Sequence, residues 1–81
     1  MELRERLADL KQRRRSVPPS EMHALLLQAG FRRRHGKGDH WVYTHPRRRF
    51  PLTIDPRNPL LPPYVSQAIR AVEEVLDDEG S

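Results

Sequence analysis

GFRRRHGKGDHWVYTHP, residues 30–46, holds two short extended runs on either side of a glycine turn. Gly30 suits the end of a preceding helix, because glycine tolerates the left-handed backbone in which helices commonly stop. Phe31 to His35 then reads as a strand and Gly36 to Gly38 as a tight turn whose glycines permit positive φ. His40 to His45 forms a second strand with alternating aromatic side chains, and Pro46 ends it. The fold follows from what covers one face of this pair.

Upstream, Ser20 is a natural N-cap and Glu21 suits a positive helix start. Met22, Leu25, Leu26 and Ala29 make one apolar face before Gly30. Downstream, Phe50 to Asp55 is a third strand with Leu52 and Ile54 on one face by period two. Asp55 to Pro63 carries four prolines and reads as an ordered, irregular loop. Val65, Ile69, Val72 and Leu76 recur at helical spacing, with Ala68 and Val75 widening the stripe, so a last helix runs from Tyr64 to about Asp77 ahead of an acidic tail. At the other end, Leu3, Leu7 and Leu10 draw a narrow stripe on a charged helix over Met1 to Arg15, followed by a hinge at Pro18 and Pro19.

The expected order is therefore α, then α, β, β, β, α: an α+β domain with a three-stranded antiparallel sheet, helices packed on one face, and an extra N-terminal helix. On the second strand Trp41 and Tyr43 point to the helices. His40, Val42 and Thr44 are left on the open face.

The chain has 81 residues, a net charge of +4 and a pI near 10.3, which bounds it to one domain with a thin core. Nine of its fifteen Lys and Arg residues form three triplets, Arg13 to Arg15, Arg32 to Arg34 and Arg47 to Arg49, while five acids lie between Glu73 and Glu79. Such segregation argues for a positive face and an anionic partner, RNA first. The absence of cysteine excludes disulfides and thiolate metal sites. No apolar run approaches the roughly 20 residues of a membrane span, and the first fifteen residues alternate acids with bases where a signal peptide would be apolar. A cytoplasmic protein is expected.

His40 is the candidate catalytic residue. A histidine can take the proton of a ribose 2′-hydroxyl or give one to a leaving oxygen, and nearby cations stabilise charge developing on phosphorus. Lys37 lies three residues earlier across Gly38, in a turn whose backbone N–H groups add an anion-binding concavity. His35, His40 and His45 recur at intervals of five, but odd intervals alternate strand faces and no cysteine or clustered carboxylate completes a zinc shell. No metal and no cofactor is expected. Ser16, Ser20, Ser66 and Ser81 lack a nucleophile elbow, and Gly36 and Gly38 belong to no GK[ST] or GxGxxG loop. Trp41 and Tyr43 are read as core rather than as base-stacking platforms, and His23 and His45 as structural.

From Ser20 to Asp55 the sequence resembles the HicA family of small toxins, the mRNA interferases of bacterial toxin–antitoxin pairs. Gly30, Phe31, Lys37, Gly38, His40, Tyr43, His45 and Pro46 carry the likeness, which extends with less detail to about residue 76. It implies a double-stranded-RNA-binding-like fold, His40 as the catalytic histidine, Lys37 and Gly38 shaping its phosphate-binding turn, and a HicB-type antitoxin as protein partner. Asp39 replaces the family's usual serine, His35 stands where arginine is common, and Pro63, Tyr64 and Val65 open the last helix in place of Gly-Thr-Leu-Arg. Asp39 either repels the scissile phosphate or tunes His40.

The expectation is a metal-independent endoribonuclease acting on mRNA, with His40 as general acid or base and Lys37, Gly38, Arg32, Arg34, Arg47, Arg48 and Arg49 binding RNA. The alternatives are a catalytically silent RNA-binding module and a protein-binding module using the same basic face. The expected divisions are an N-terminal helix and hinge over 1–17, a HicA-like domain over 18–77, and an acidic tail over 78–81. The leucine stripe is expected to dock on the domain, on a second copy to make a homodimer, or on the antitoxin. The domain is expected to fold without residues 1–16.

Overall fold

The computed structural model describes residues 2–36 and 38–80, and for residues 35 and 78–80 the backbone alone. Along them run α1 (Leu3–Gln12), α2 (Pro19–Gln28), β1 (Arg32–His35), β2 (Trp41–Thr44), β3 (Leu52–Ile54) and α3 (Pro62–Gly80). The strands form one antiparallel sheet in the order β1-β2-β3. The expected α, α, β, β, β, α order and α+β layout are present.

Register sorts the side chains. Tyr43 stands opposite Arg33 and Leu52, Trp41 opposite Ile54, and Val42 opposite Arg34 and Thr53, while Arg32 pairs with Thr44. Cross-strand partners share a face and successive residues alternate. Arg33, Trp41, Tyr43, Leu52 and Ile54 therefore belong to one face; Arg32, Arg34, Val42, Thr44 and Thr53 belong to the other. The first face meets the helices, where Tyr43, Leu52 and Ile54 are buried and Trp41 packs half-buried against the core. Arg32, Arg34 and Thr53 on the second face are exposed.

The helix ends differ from the expectation because the prolines start helices. Pro18 occupies the N-cap position of α2, and its carbonyl accepts from the N–H groups of Glu21 and Met22 at 3.1 and 3.3 Å. Pro19 is the first helical residue, where a missing N–H costs nothing and φ is already helical. Ser20 thus lies inside the helix instead of capping it. The same reasoning moves the start of α3 from Tyr64 to Pro62, with the Leu61 carbonyl accepting from Tyr64 and Val65. At its far end α3 continues through residues 78–80, so the acidic segment expected to be a tail extends the helix.

The N-terminal helix is part of the core. Glu2 caps α1 through its carboxylate, which accepts from the N–H groups of Arg4 and Glu5. Leu7 and Leu10 are buried in one cluster with Leu25, Val65 and Ile69. Of the three docking expectations for the leucine stripe, the structure shows the one onto its own domain. The segment after α1 is pinned as well: Val17 is fully buried, and its carbonyl accepts from the Leu60 N–H at 2.8 Å. Arg13 adds a bridge, pairing with Asp9 on α1 and Glu21 on α2. Among the described residues, no helix is long and apolar enough to cross a membrane.

Candidate functional site

The β1–β2 turn is shaped by its glycines for two different reasons. Gly38 has φ of 66°, a left-handed value that other residues rarely adopt. Gly36 is needed for space: a Cβ there would lie 2.7 Å from Val42 Cγ2 and 3.0 Å from the His40 carbonyl oxygen. Only Gly38 of the pair uses the positive φ expected of both. Lys37, the expected phosphate ligand between them, lies outside the described residues.

His40 follows this turn, immediately before β2, and is exposed. Continued backwards through one residue, the alternation of β2 assigns it to the side of Val42 and Thr44. On β1 that side carries Arg34, opposite Val42, and Arg32, opposite Thr44. Both arginines are exposed, and Arg34 is the nearer to His40 along the ladder. Asp39 is exposed in the turn, and no hydrogen bond or ion pair joins it to His40.

Two other histidines are half-buried and hydrogen-bonded within the fold. His45 Nε2 donates to the Ala29 carbonyl at 3.1 Å, and its Nδ1 accepts from the Arg47 N–H at 3.0 Å. That ring packs on Phe31 at 4.9 Å between centroids. His23, on α2, lies 2.7 Å through Nδ1 from the Tyr43 hydroxyl. Burial holds the Tyr43 pKa above its ordinary value, partly offset by Arg33, so the hydroxyl keeps its proton. Burial, helped by the positive charge of Arg33, holds the His23 pKa below its ordinary value. Among the described residues no group of His, Asp or Glu is placed to hold a metal ion.

The arginine triplets, indistinguishable as sequence, divide into different roles. Arg13 bridges α1 and α2, and Arg14 donates to Ser66 Oγ at 2.8 Å. Arg33 lies over the Trp41 ring at 4.8 Å on the helix-facing side, apart from Arg32 and Arg34. Arg48 pairs with Glu74 at 3.1 Å, its side chain is only 19 % exposed, and its Nη1 is buried without a hydrogen-bond partner. That ties the β2–β3 connection to α3. Arg47 and Arg49 are exposed, and Arg49 lies 5.7 Å over the ring of Phe50. A groove of about 510 Å³ runs between β3 and α3 past Arg48, Thr53, Arg70 and Glu74, and His40 is no part of it.

Sequence reasoning passed over Phe50. Period two places it in phase with Leu52 and Ile54, which reads as core, yet β3 begins only at Leu52 and the Phe50 ring is 70 % exposed. Pro51 before the strand was the signal that the pairing starts late. Compared with family models, curated proteins and solved structures, the chain matches none of them.

Proposed function

We propose that this protein is a metal-independent endoribonuclease of the HicA toxin kind, with His40 as its general acid–base and the open sheet face as its RNA-binding surface. The observation that supports it is the contrast among the histidines whose side chains are described: His23 and His45 are half-buried and hydrogen-bonded to the fold, while His40 is exposed at a glycine turn with Arg34 and Arg32 on the adjoining strand. A solvent-facing imidazole beside cations is what proton transfer at a phosphodiester requires.

In the proposed reaction, His40 takes the proton of a ribose 2′-hydroxyl while O2′ forms a bond to phosphorus. The P–O5′ bond breaks, and the departing 5′-oxygen receives a proton from the imidazolium. The products are a 2′,3′-cyclic phosphate and a 5′-hydroxyl. Arg34, with Lys37 from the turn, neutralises charge on the non-bridging oxygens. The double-stranded-RNA-binding-like identity of the fold and a HicB-type antitoxin that masks the basic face belong to the same reading. So does action in the cytoplasm, where mRNA is found. Because Leu7 and Leu10 are inside the core, the antitoxin and not a homodimer through the N-terminal helix is the protein partner in this reading.

Cleavage of RNA by wild type and His40→Ala in EDTA tests it. Wild type is expected to cut and the variant to be inactive; equal cleavage removes His40 from the mechanism. A second reading, an RNA-binding module without catalysis, is favoured by Asp39, whose carboxylate stands exposed beside His40 and repels phosphate. Binding by wild type without cleavage decides for it.

A further inference from the structure

Beside His40 the open face of the sheet carries arginines, threonines and a valine but no Phe, Tyr or Trp ring, since Trp41 and Tyr43 both belong to the helix side. Such a face grips phosphates and sugars and offers a base no large aromatic platform. Among the five aromatic residues, Phe31 and Tyr43 are buried, Trp41 and Tyr64 are half-buried, and Phe50 alone is largely exposed. Phe50 also directly follows the cationic stretch Arg47 to Arg49 in the β2–β3 connection: Arg48 anchors the connection to Glu74, and Arg49 lies over the Phe50 ring. An exposed ring with a guanidinium beside it is the pairing that single-strand-binding proteins use to stack bases.

We infer that Phe50, with Arg49, is a base-stacking subsite for single-stranded RNA, set at the end of the sheet opposite His40. The placement follows from connectivity. His40 precedes β2 and Phe50 lies in the connection after it, so the length of β2 separates them, about 13 Å for four residues. Between them the backbone of the RNA would pass Arg34 and then Arg32. An apolar contact with a protein partner is the rival explanation for an exposed phenylalanine. The three arginines directly before it and the cation already against the ring favour a nucleobase.

This inference rests on the RNA reading above, and the test separates the two. Fluorescence anisotropy with the His40→Ala protein, which should bind without cutting, is measured on an oligouridylate of about twelve nucleotides and on a uridine dinucleotide. Adding Phe50→Ala is expected to weaken the longer ligand on the order of tenfold to a hundredfold. Phe50→Trp should restore it. Affinity for the dinucleotide should not change, because it is too short to span both ends. The salt dependence should keep its slope, because a stacking contact neutralises no phosphate. Thermal melts should be unchanged for a ring already in solvent. If the parent protein binds and the wild type cleaves RNA while Phe50→Ala binds like its parent, the stacking site is overturned and the nuclease reading stands. If neither protein binds RNA, both are overturned. If Phe50→Ala keeps its RNA affinity but lowers the mass in light scattering, the ring is a protein contact and the stacking site is overturned.

Discussion

His45 Nε2 donates to the carbonyl of Ala29 at 3.1 Å, joining the end of β2 to the end of α2 across sixteen residues of sequence. Gly30 permits this approach twice over. Its φ of 95° turns the chain out of the helix, and a Cβ on it would come within 3.0 Å of the same imidazole nitrogen. Phe31 completes the joint by packing against the ring. Four of the eight residues that carry the HicA resemblance, Gly30, Phe31, His45 and Pro46, therefore lie in or beside one structural joint at the far end of the strand from His40.

His45→Ala should lower stability by about 1–3 kcal/mol, because the Ala29 carbonyl and the Arg47 N–H lose their partner. Gly30→Ala should cost a comparable amount through backbone strain and the close ring contact. Urea denaturation measures both. RNA cleavage per folded molecule should stay at the wild-type level, and a specific loss of activity in fully folded His45→Ala would place that ring in the mechanism.

The arginines should separate by assay. Arg32→Gln and Arg34→Gln should leave thermal melts unchanged and weaken RNA binding, each reducing the log–log salt slope by about 0.7. Arg48→Gln should instead lower the melting temperature, because it removes a tie from the half-buried Arg48 side chain of the β2–β3 connection to Glu74. Arg33→Gln should do the same by uncovering Trp41. If Arg33→Gln alone reduced the salt slope, the assignment of faces would be wrong.

Acid should destabilise the fold through His23. Its pKa is lower in the folded protein than in the unfolded chain, so the unfolded chain binds the extra proton first as pH falls. The stabilisation is complete above the unfolded value near 6.5 and is lost as pH drops through the lower folded value. Burial of the ring against β2, where the Tyr43 hydroxyl faces it, and the positive charge of Arg33 on β1 disfavour its charged form. Between about pH 7.5 and pH 5 the melting temperature of wild type should fall further than that of His23→Gln; parallel curves would remove His23 as the source.

Removing α1 should unfold the domain or lower its melting temperature sharply, which reverses the expectation drawn from the leucine spacing. Leu10 is fully buried and Leu7 nearly so, and both belong to the cluster shared by α2 and α3. Leu10→Ala alone should cost about 2–5 kcal/mol. A chain starting at residue 18 that melts like the full protein, followed by circular dichroism, would show the core to be complete without α1.

Local rules were enough for the order of elements and for the faces of the sheet. Gly30, Gly38 and Pro46 punctuate the chain through their own backbone preferences, and the two-residue period of a strand commits Tyr43 to the core and Val42 to the other side without knowledge of any partner. The exposure of His40 follows from the same arithmetic. Tertiary structure decided whatever depends on a distant partner. Nothing local distinguishes Arg48 from Arg47 or Arg49, and only the approach of α3 brings Glu74 to it across twenty-six residues. Arg33 differs from Arg32 and Arg34 once β1 is in register with β2 and Trp41 lies beside it. Leu10 reads as a surface stripe until Val17 is bonded to Leu60 and the helix is held against α3. Periodicity states which side of an element a residue occupies; what waits on that side is set by chain segments that come together only on folding.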